Sequence, residues 1–231
     1  LWFGAWVADG VSLDDARDAI VGSDAAHDMS GLPGEPELVP LILAMGRLRS
    51  AGATGAGIAL PVPGDPLGLA GPTEFNTEAI EAGQGVVLEG TDLGLVPRRT
   101  GAGVVWTCHP ATSRRQVPDP SEADALLRQA LLAATNTLAD LDVAKWRPEV
   151  ADELVALRRT VDLVVPGGMS PRALKLASLA ARCRTIVDLA LQYDGAAVTV
   201  TEADERRAAL TPLDHAARRG LVAACSFPWG R

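Results

Sequence analysis

The sequence predicts an α+β protein, with a small mixed or antiparallel sheet and flanking helices in residues 1–118 and a mainly helical part in 119–231. Three observations carry that expectation. The stretch Gly85–Pro110, GVVLEGTDLGLVPRRTGAGVVWTCHP, breaks into short β-branched and aromatic runs bounded by Gly and Pro, as strands joined by tight turns do. Pro118-Asp119-Pro120 marks a change of composition, beyond which apolar residues recur mostly at helical spacing. A chain of 231 residues, 48% hydrophobic, is long enough for one large core or two small ones.

The central stretch reads as a three-stranded meander. Val86–Leu88, Leu93–Val96 (closed by Pro97) and Val104–Cys108 are the strands, with Glu89–Asp92 and Arg98–Gly103 as turns. Turns this short make neighbours antiparallel. Alternation then puts Val104, Trp106 and Cys108 on one face, and Val105, Thr107 and His109 on the other. A Cys–His catalytic pair needs both groups within hydrogen-bond reach, so adjacent Cys108 and His109 are not expected to form one. Cys108 is expected in the core. His109, at a strand end before Pro110, is a site candidate.

Earlier in the chain, Trp2–Val7 reads as a strand or the end of a helix. Ser12-Leu13-Asp14-Asp15 has the form of a capping box opening a helix with Leu13, Ala16 and Ile20 on its apolar stripe. Residues 24–35 read as a polar loop containing His27-Asp28. Leu38, Leu41, Ile42, Met45 and Leu48 keep helical spacing up to Ala51-Gly52, and Ala56–Pro61 reads as a buried strand whose place after a helix permits parallel addition to the meander. The Gly- and Pro-rich stretch Pro61–Thr77 is expected to be a long loop, and loops of that length are often functional. Asn76 or Thr77 is expected to cap a short helix through Ile80.

In the second half, Ser121 with Asp124 is expected to cap a helix striped by Leu127, Ala130, Leu131, Ala134, Leu138 and Leu141. Pro148 opens another with Val150, Leu154 and Leu157. The short apolar run 161–165 ends at Pro166-Gly167-Gly168. Leu176, Leu179, Ala180, Cys183, Val187, Ala190 and Leu191 mark the most regular helix. An edge strand is expected over 196–200, helix starts at Thr201 and at Thr211-Pro212 (with Asp214 capping), and Phe227 and Trp229 folding back at the end.

The net charge is −8, and residues 1–118 carry most of it, with 14 acids against 7 bases. An acidic surface repels phosphate backbones, so no nucleic-acid partner is expected. Apolar runs fall short of the roughly 20 residues of a membrane span, so no membrane partner is expected either. Cys108, Cys183 and Cys225 are odd in number and widely spaced, and no CxxC or HxxxH occurs. The expectation is a reducing, cytoplasmic setting, no cofactor and no metal. The chain opens with Leu1 rather than Met, which leaves room for a preceding segment, although no targeting signal is visible. Arg outnumbers Lys, with lysine only at Lys145 and Lys175, a usage typical of GC-rich genomes.

No GxSxG, HExxH or strand-borne GxGxxG is present, so no reaction is indicated. The function expected is that of a cytosolic, non-catalytic ligand- or protein-binding protein, with a homo-oligomer formed through the helical part. The alternative is a small-molecule enzyme acting on an anionic substrate at the 61–77 loop and the strand ends near Arg98 and His109. Arg98, Arg99 and Asn76 would bind the ligand, and Asp65, Glu74 or His109 would act as acid or base.

Two resemblances accompany these residues. Ser170-Pro171-Arg172-Ala173-Leu174 with the following helix and Thr201-Glu202-Ala203-Asp204 resembles the helical lid of MoxR- and chelatase-type ATPases, where the motif's Arg senses nucleotide. The chain has no GxxxxGK[ST], so ATPase activity is not expected. The end, from Ile186-Val187-Asp188-Leu189 to Leu221-Val222-Ala223-Ala224-Cys225-Ser226, resembles a group of uncharacterised proteins from GC-rich bacteria. That resemblance implies a family and no chemistry.

Overall fold

The computed structural model describes residues 1–112, 115–140, 163–192 and 200–226. The chain forms two compact units, one built from Leu1–Val117, Val165–Ser170 and Cys225–Arg231, the other from Pro118–Val164 and Pro171–Ala224.

The first unit is a six-stranded sheet with helices on both faces. Its elements are α1 (Trp2–Val7), α2 (Leu13–Val21), β1 (His27–Ser30), β2 (Val39–Pro40), α3 (Leu41–Ser50), β3 (Gly55–Ala59), α4 (Thr73–Ala82), β4 (Gly85–Glu89), β5 (Leu93–Thr100) and β6 (Gly103–Pro110). The strand order is β2-β1-β6-β5-β4-β3. The meander is present as β4, β5 and β6, antiparallel throughout.

Several expectations give way to tertiary pairing. β5 does not close at Pro97. It runs on to Thr100, with Pro97 opposite Trp106, because β4 pairs only with Gly94 and Leu95 and leaves that end of β5 open on one side. The connection to β6 is a two-residue loop, Gly101-Ala102, with Gly101 at φ 61°, where a II′ hairpin favours glycine. The polar loop at 24–35 contains a strand. β1 pairs parallel with β6 and antiparallel with β2. The parallel pair is therefore at β1, while β3 joins β4 antiparallel.

Helix starts follow local chemistry. Trp2–Val7 is a helix. Ser12 Oγ accepts from the Asp15 amide at 3.0 Å, the first of the two capping-box bonds, and donates to Asp15 Oδ2 at 2.7 Å. α3 begins after Pro40, so its buried stripe is Leu41, Ala44, Met45 and Leu48, while Leu38 is left exposed. α4 begins at Thr73, earlier than expected. Its N-cap is Pro72, and Asn76 Oδ1 instead accepts from the Gly71 amide at 3.0 Å.

Alternation along the strands divides the core in two. Met29, Ala56, Leu88, Leu95 and Cys108 share one face with Trp6, Ala16, Leu41, Met45 and Leu48 of α1–α3. Val87, Val96 and Ala59 share the other with Phe75 and Ala79 of α4.

The second unit contains α5 (Pro120–Asp140), α6 (Pro171–Gln192) and α7 (Val200–Cys225, whose last residue falls in the first unit). Asp119, not Ser121, caps α5: its Oδ1 accepts from the amides of Ser121 and Glu122 at 2.8 and 3.1 Å. Ala123, Leu127 and Ala134 of α5 are buried, as are Leu176, Ala180, Cys183 and Val187 of α6. The three helices meet at Gly220, where a Cβ would lie 3.1 Å from Ala180, 3.3 Å from Leu176 and 3.5 Å from Leu127. α7 continues through Pro212 rather than restarting at Thr211, whose Oγ1 donates to the Arg207 carbonyl. Asp214 is thus no cap but a mid-helix ion-pair partner of buried Arg218, at 2.9 Å. The stripe of Val150, Leu154 and Leu157, Leu141, residues 161–162, the edge strand before residue 200, and Phe227 and Trp229 lie outside the described residues.

Candidate functional site

Both faces of the sheet in the first unit hold features with chemical meaning. On the α4 face, Glu74, Glu78 and Glu81 recur at helical spacing beside the buried stripe of Phe75 and Ala79. They point along the flank of α4 toward β5 and β6. His109 faces them, buried at 6% exposure, with its ring tilted against Phe75 at a centroid distance of 6.2 Å. Its Nε2 lies 3.3 Å from Glu78 Oε2. The approach is off-line, and Nε2 makes no hydrogen bond to any described residue. Glu74, Glu78 and His109 each bring a ligand atom to within 4.8 Å of the others. Arg98 closes the cluster, 3.6 Å from Glu78 and 3.3 Å from Glu81.

The backbone fixes this arrangement. The Thr112 amide, just past β6, donates to the Gly71 carbonyl just before α4. The start of α4 is thereby tied to the end of the strand that carries His109. The loop that precedes it is a packed connector. Pro61, Leu67 and Leu69 are buried, and Val62 and Asp65 exchange backbone hydrogen bonds across a tight turn.

Of the residues singled out from sequence, the fold gathers Glu74 and His109, with Arg98 beside them. Asn76 is spent on the backbone of Gly71. Asp65 belongs to the loop turn. Arg98 and Arg99 point to opposite faces of β5, and Arg99 pairs with Asp24 at 3.0 Å. Glu78 was not foreseen. Its signal was the i, i+4 spacing from Glu74, hidden while Pro61–Thr77 was read as loop.

On the other face, Asp24, His27 and Trp106 form a polar brace. Trp106 Nε1 donates to His27 Nδ1 at 3.2 Å, and His27 Nε2 lies 3.0 Å from Asp24 Oδ2. An indole nitrogen only donates, so Nδ1 is the acceptor and the imidazole proton sits on Nε2, donated to Asp24. The partner of His27 is Asp24, not the adjacent Asp28. The His27 hydrogen bond and the Arg99 guanidinium hold the Asp24 carboxyl below the usual carboxylate range.

The braced Trp106 ring walls a cavity of about 220 Å³, together with Trp2, Phe3, Met29, Met45, Leu88 and Leu95. The lining is almost wholly apolar. Cys108 lies on this face, and burial pushes its thiol from an ordinary 9.0 up to about 11, away from nucleophilic character. Cys108 and His109 are therefore separated by the thickness of the sheet. On the opposite face of β3, the Arg115 guanidinium lies over Gly57, where a Cβ would overlap Nη2, and donates to the Ile58 carbonyl at 2.8 Å. Burial lowers the Arg115 pKa, with Glu89 opposing that effect.

No helix among the described residues is long and apolar enough to cross a membrane. Comparison with known proteins finds two adjoining family models, the Rv1486c-like protein N-terminal domain over residues 1–122 and its C-terminal domain over residues 121–222. The chain is 28% identical to "Uncharacterized protein Rv1486c" of Mycobacterium tuberculosis (strain ATCC 25618 / H37Rv), over 97% of this chain and 93% of that protein. The same figures hold for "Uncharacterized protein MT1533" of Mycobacterium tuberculosis (strain CDC 1551 / Oshkosh). These matches lend no support to the likeness of Ser170–Leu174 to an ATPase lid. No solved structure matches. With both of its halves matched in order, the chain belongs to the Rv1486c-like protein family.

Proposed function

We propose that the chain is a non-catalytic, cytosolic ligand-binding protein whose first unit takes a small apolar molecule, of aryl or short alkyl character, against the Trp106 face of the sheet. The observation that carries this reading is the apolar cavity of about 220 Å³. It is larger than the engineered cavity of about 150 Å³ that stays dry and binds benzene. Unoccupied, its apolar lining forgoes contacts and stays open to water. An apolar occupant restores those contacts and itself leaves water. The Asp24–His27–Trp106 brace holds one wall in place without turning a polar atom inward.

The reading of an enzyme for an anionic substrate has less support. Arg98 and Arg99 leave β5 on opposite faces, and each is engaged with carboxylates there, so the two do not join in one anion pocket.

Thermal unfolding with toluene, indole and C6–C8 alcohols tests the proposal. The midpoint of the wild type is expected to rise with the best-fitting probe. Ala56→Leu, which places a larger side chain in the cavity wall, is expected to stabilise the apo protein by about 1–2 kcal/mol and to abolish the probe's effect. A destabilised Ala56→Leu protein, or a wild type indifferent to every probe, rejects the reading.

A further inference from the structure

We propose that Glu74, Glu78 and His109 form a binding site for a divalent first-row transition-metal ion, with Zn²⁺ the best fit. The site lies across the sheet from the apolar cavity and stands whether or not that cavity takes a ligand.

Two independent observations point there. The first is the ligand set. Two carboxylates and an imidazole bring ligand atoms to within 4.8 Å of one another. Around a tetrahedral ion with bonds of 2.0–2.1 Å, neighbouring ligand atoms stand roughly 3.3 Å apart. His109 Nε2 and Glu78 Oε2 already have that separation, 3.3 Å. Glu74 is exposed and can close the remaining distance by a change of rotamer.

The second observation is the state of His109. Its side chain is 7% exposed, and the buried Nε2 points into the cluster with no hydrogen bond to a described residue. A buried polar nitrogen without a partner is uncommon in native proteins and calls for a specific cause, an ion among them. Glu78 sits within ion-pairing distance of Nε2 without hydrogen-bonding it, and a tautomer with its proton on Nδ1 would present the Nε2 lone pair to the carboxylates.

The charges weigh in favour. Two carboxylates supply about −2, whereas the amino end of α4 supplies about +0.5 of partial positive charge. The opposing group of consequence is Arg98, 3.6 Å from Glu78. Arg98 is half-exposed and also held by Glu81, so it can keep one carboxylate while Glu78 turns to the ion. Imidazole with carboxylate suits Zn²⁺ better than Mg²⁺ or Ca²⁺, which prefer oxygen alone. Three protein ligands leave one position of a tetrahedral ion open.

Calorimetric titration of the chelator-stripped protein with ZnCl₂, and with MgCl₂ as control, provides the test. Wild type is expected to bind one equivalent of Zn²⁺, to unfold at a higher temperature when loaded, and to ignore Mg²⁺ at the same concentration. Glu74→Gln is exposed and leaves the core untouched, and it is expected to weaken Zn²⁺ binding by at least about tenfold. Arg98→Gln is expected to tighten it several-fold, which a purely structural Glu78–Arg98 ion pair does not predict. His109→Asn is expected to abolish binding. If that variant fails to fold, Glu74→Gln and Arg98→Gln decide. The proposal is overturned by the absence of saturable one-equivalent binding in wild type, or by binding that Glu74→Gln leaves undiminished.

Discussion

The two faces of the sheet in the first unit use the same strands to opposite ends. On one, Val86, Leu88, Leu95 and Trp106 meet α1–α3 around a cavity that the side chains fail to fill. On the other, Val87, Val96 and Ala59 meet a single short helix, α4, and are packed to contact. Polar groups are treated differently as well. The cavity face admits His27 only as a satisfied brace, whereas the α4 face keeps His109 buried without a hydrogen bond among carboxylates. A residue's neighbour in sequence therefore says little about its chemistry here. Cys108 and His109 are consecutive, yet one belongs to a dry apolar core and the other to a charged cluster, because alternate side chains leave a strand on opposite sides.

The contrast can be broken most severely at Phe75. It is fully buried under α4 and forms much of that face's core. Phe75→Ala is expected to cost about 3–5 kcal/mol in chemical denaturation. A loss under 1 kcal/mol would mean that the α4 face is as loosely filled as the cavity face.

Adding a methyl group sharpens the comparison. A Cβ at Gly94 would lie 2.6 Å from two ring atoms of Phe75 and 2.9 Å from Ala111. Gly94→Ala is expected to destabilise by about 1–3 kcal/mol, as overpacking does, whereas Ala56→Leu on the cavity face adds more volume and stabilises. The same sign for both variants would erase the distinction between the faces.

The smallest effect concerns pH. The folded state holds the Cys108 thiol neutral up to about 11. The stability that this burial confers is fully present below pH 9 and is lost as pH rises from 9 toward 11. Cys108→Ala is expected to flatten that part of the unfolding curve measured against pH. Cys183 and Cys225, whose thiols burial also pushes up, contribute to the slope left over. An unchanged slope would place the Cys108 sulfur in contact with water.

How much of this was legible depended on how local the cause was. The meander could be read because each strand carries its own β-branched run and each turn its own glycine. The Ser12–Asp15 cap could be read because donor and acceptor lie three residues apart. β1 could not, since His27-Asp28-Met29-Ser30 has no strand-like composition. It is a strand because the edge of β6 pairs with it, from Val104 to Thr107. The metal-competent cluster was half visible. His109 and Glu74 were picked out individually, but nothing in the sequence places α4 beside the end of β6, 27 residues beyond Ala82 at His109. That placement rests on the sheet register and on the Thr112–Gly71 hydrogen bond.

By itself, the sequence determined the fold class, the meander and the opposite facings of Cys108 and His109, since periodicity and turn chemistry act over a few residues. The tertiary structure alone decided which carboxylates reach His109, that Asp24 rather than Asp28 partners His27, and that the core against α1–α3 leaves a cavity. Those outcomes depend on contacts between segments far apart in the chain, where the spacing of residue types along a strand or helix carries no information about what will lie opposite.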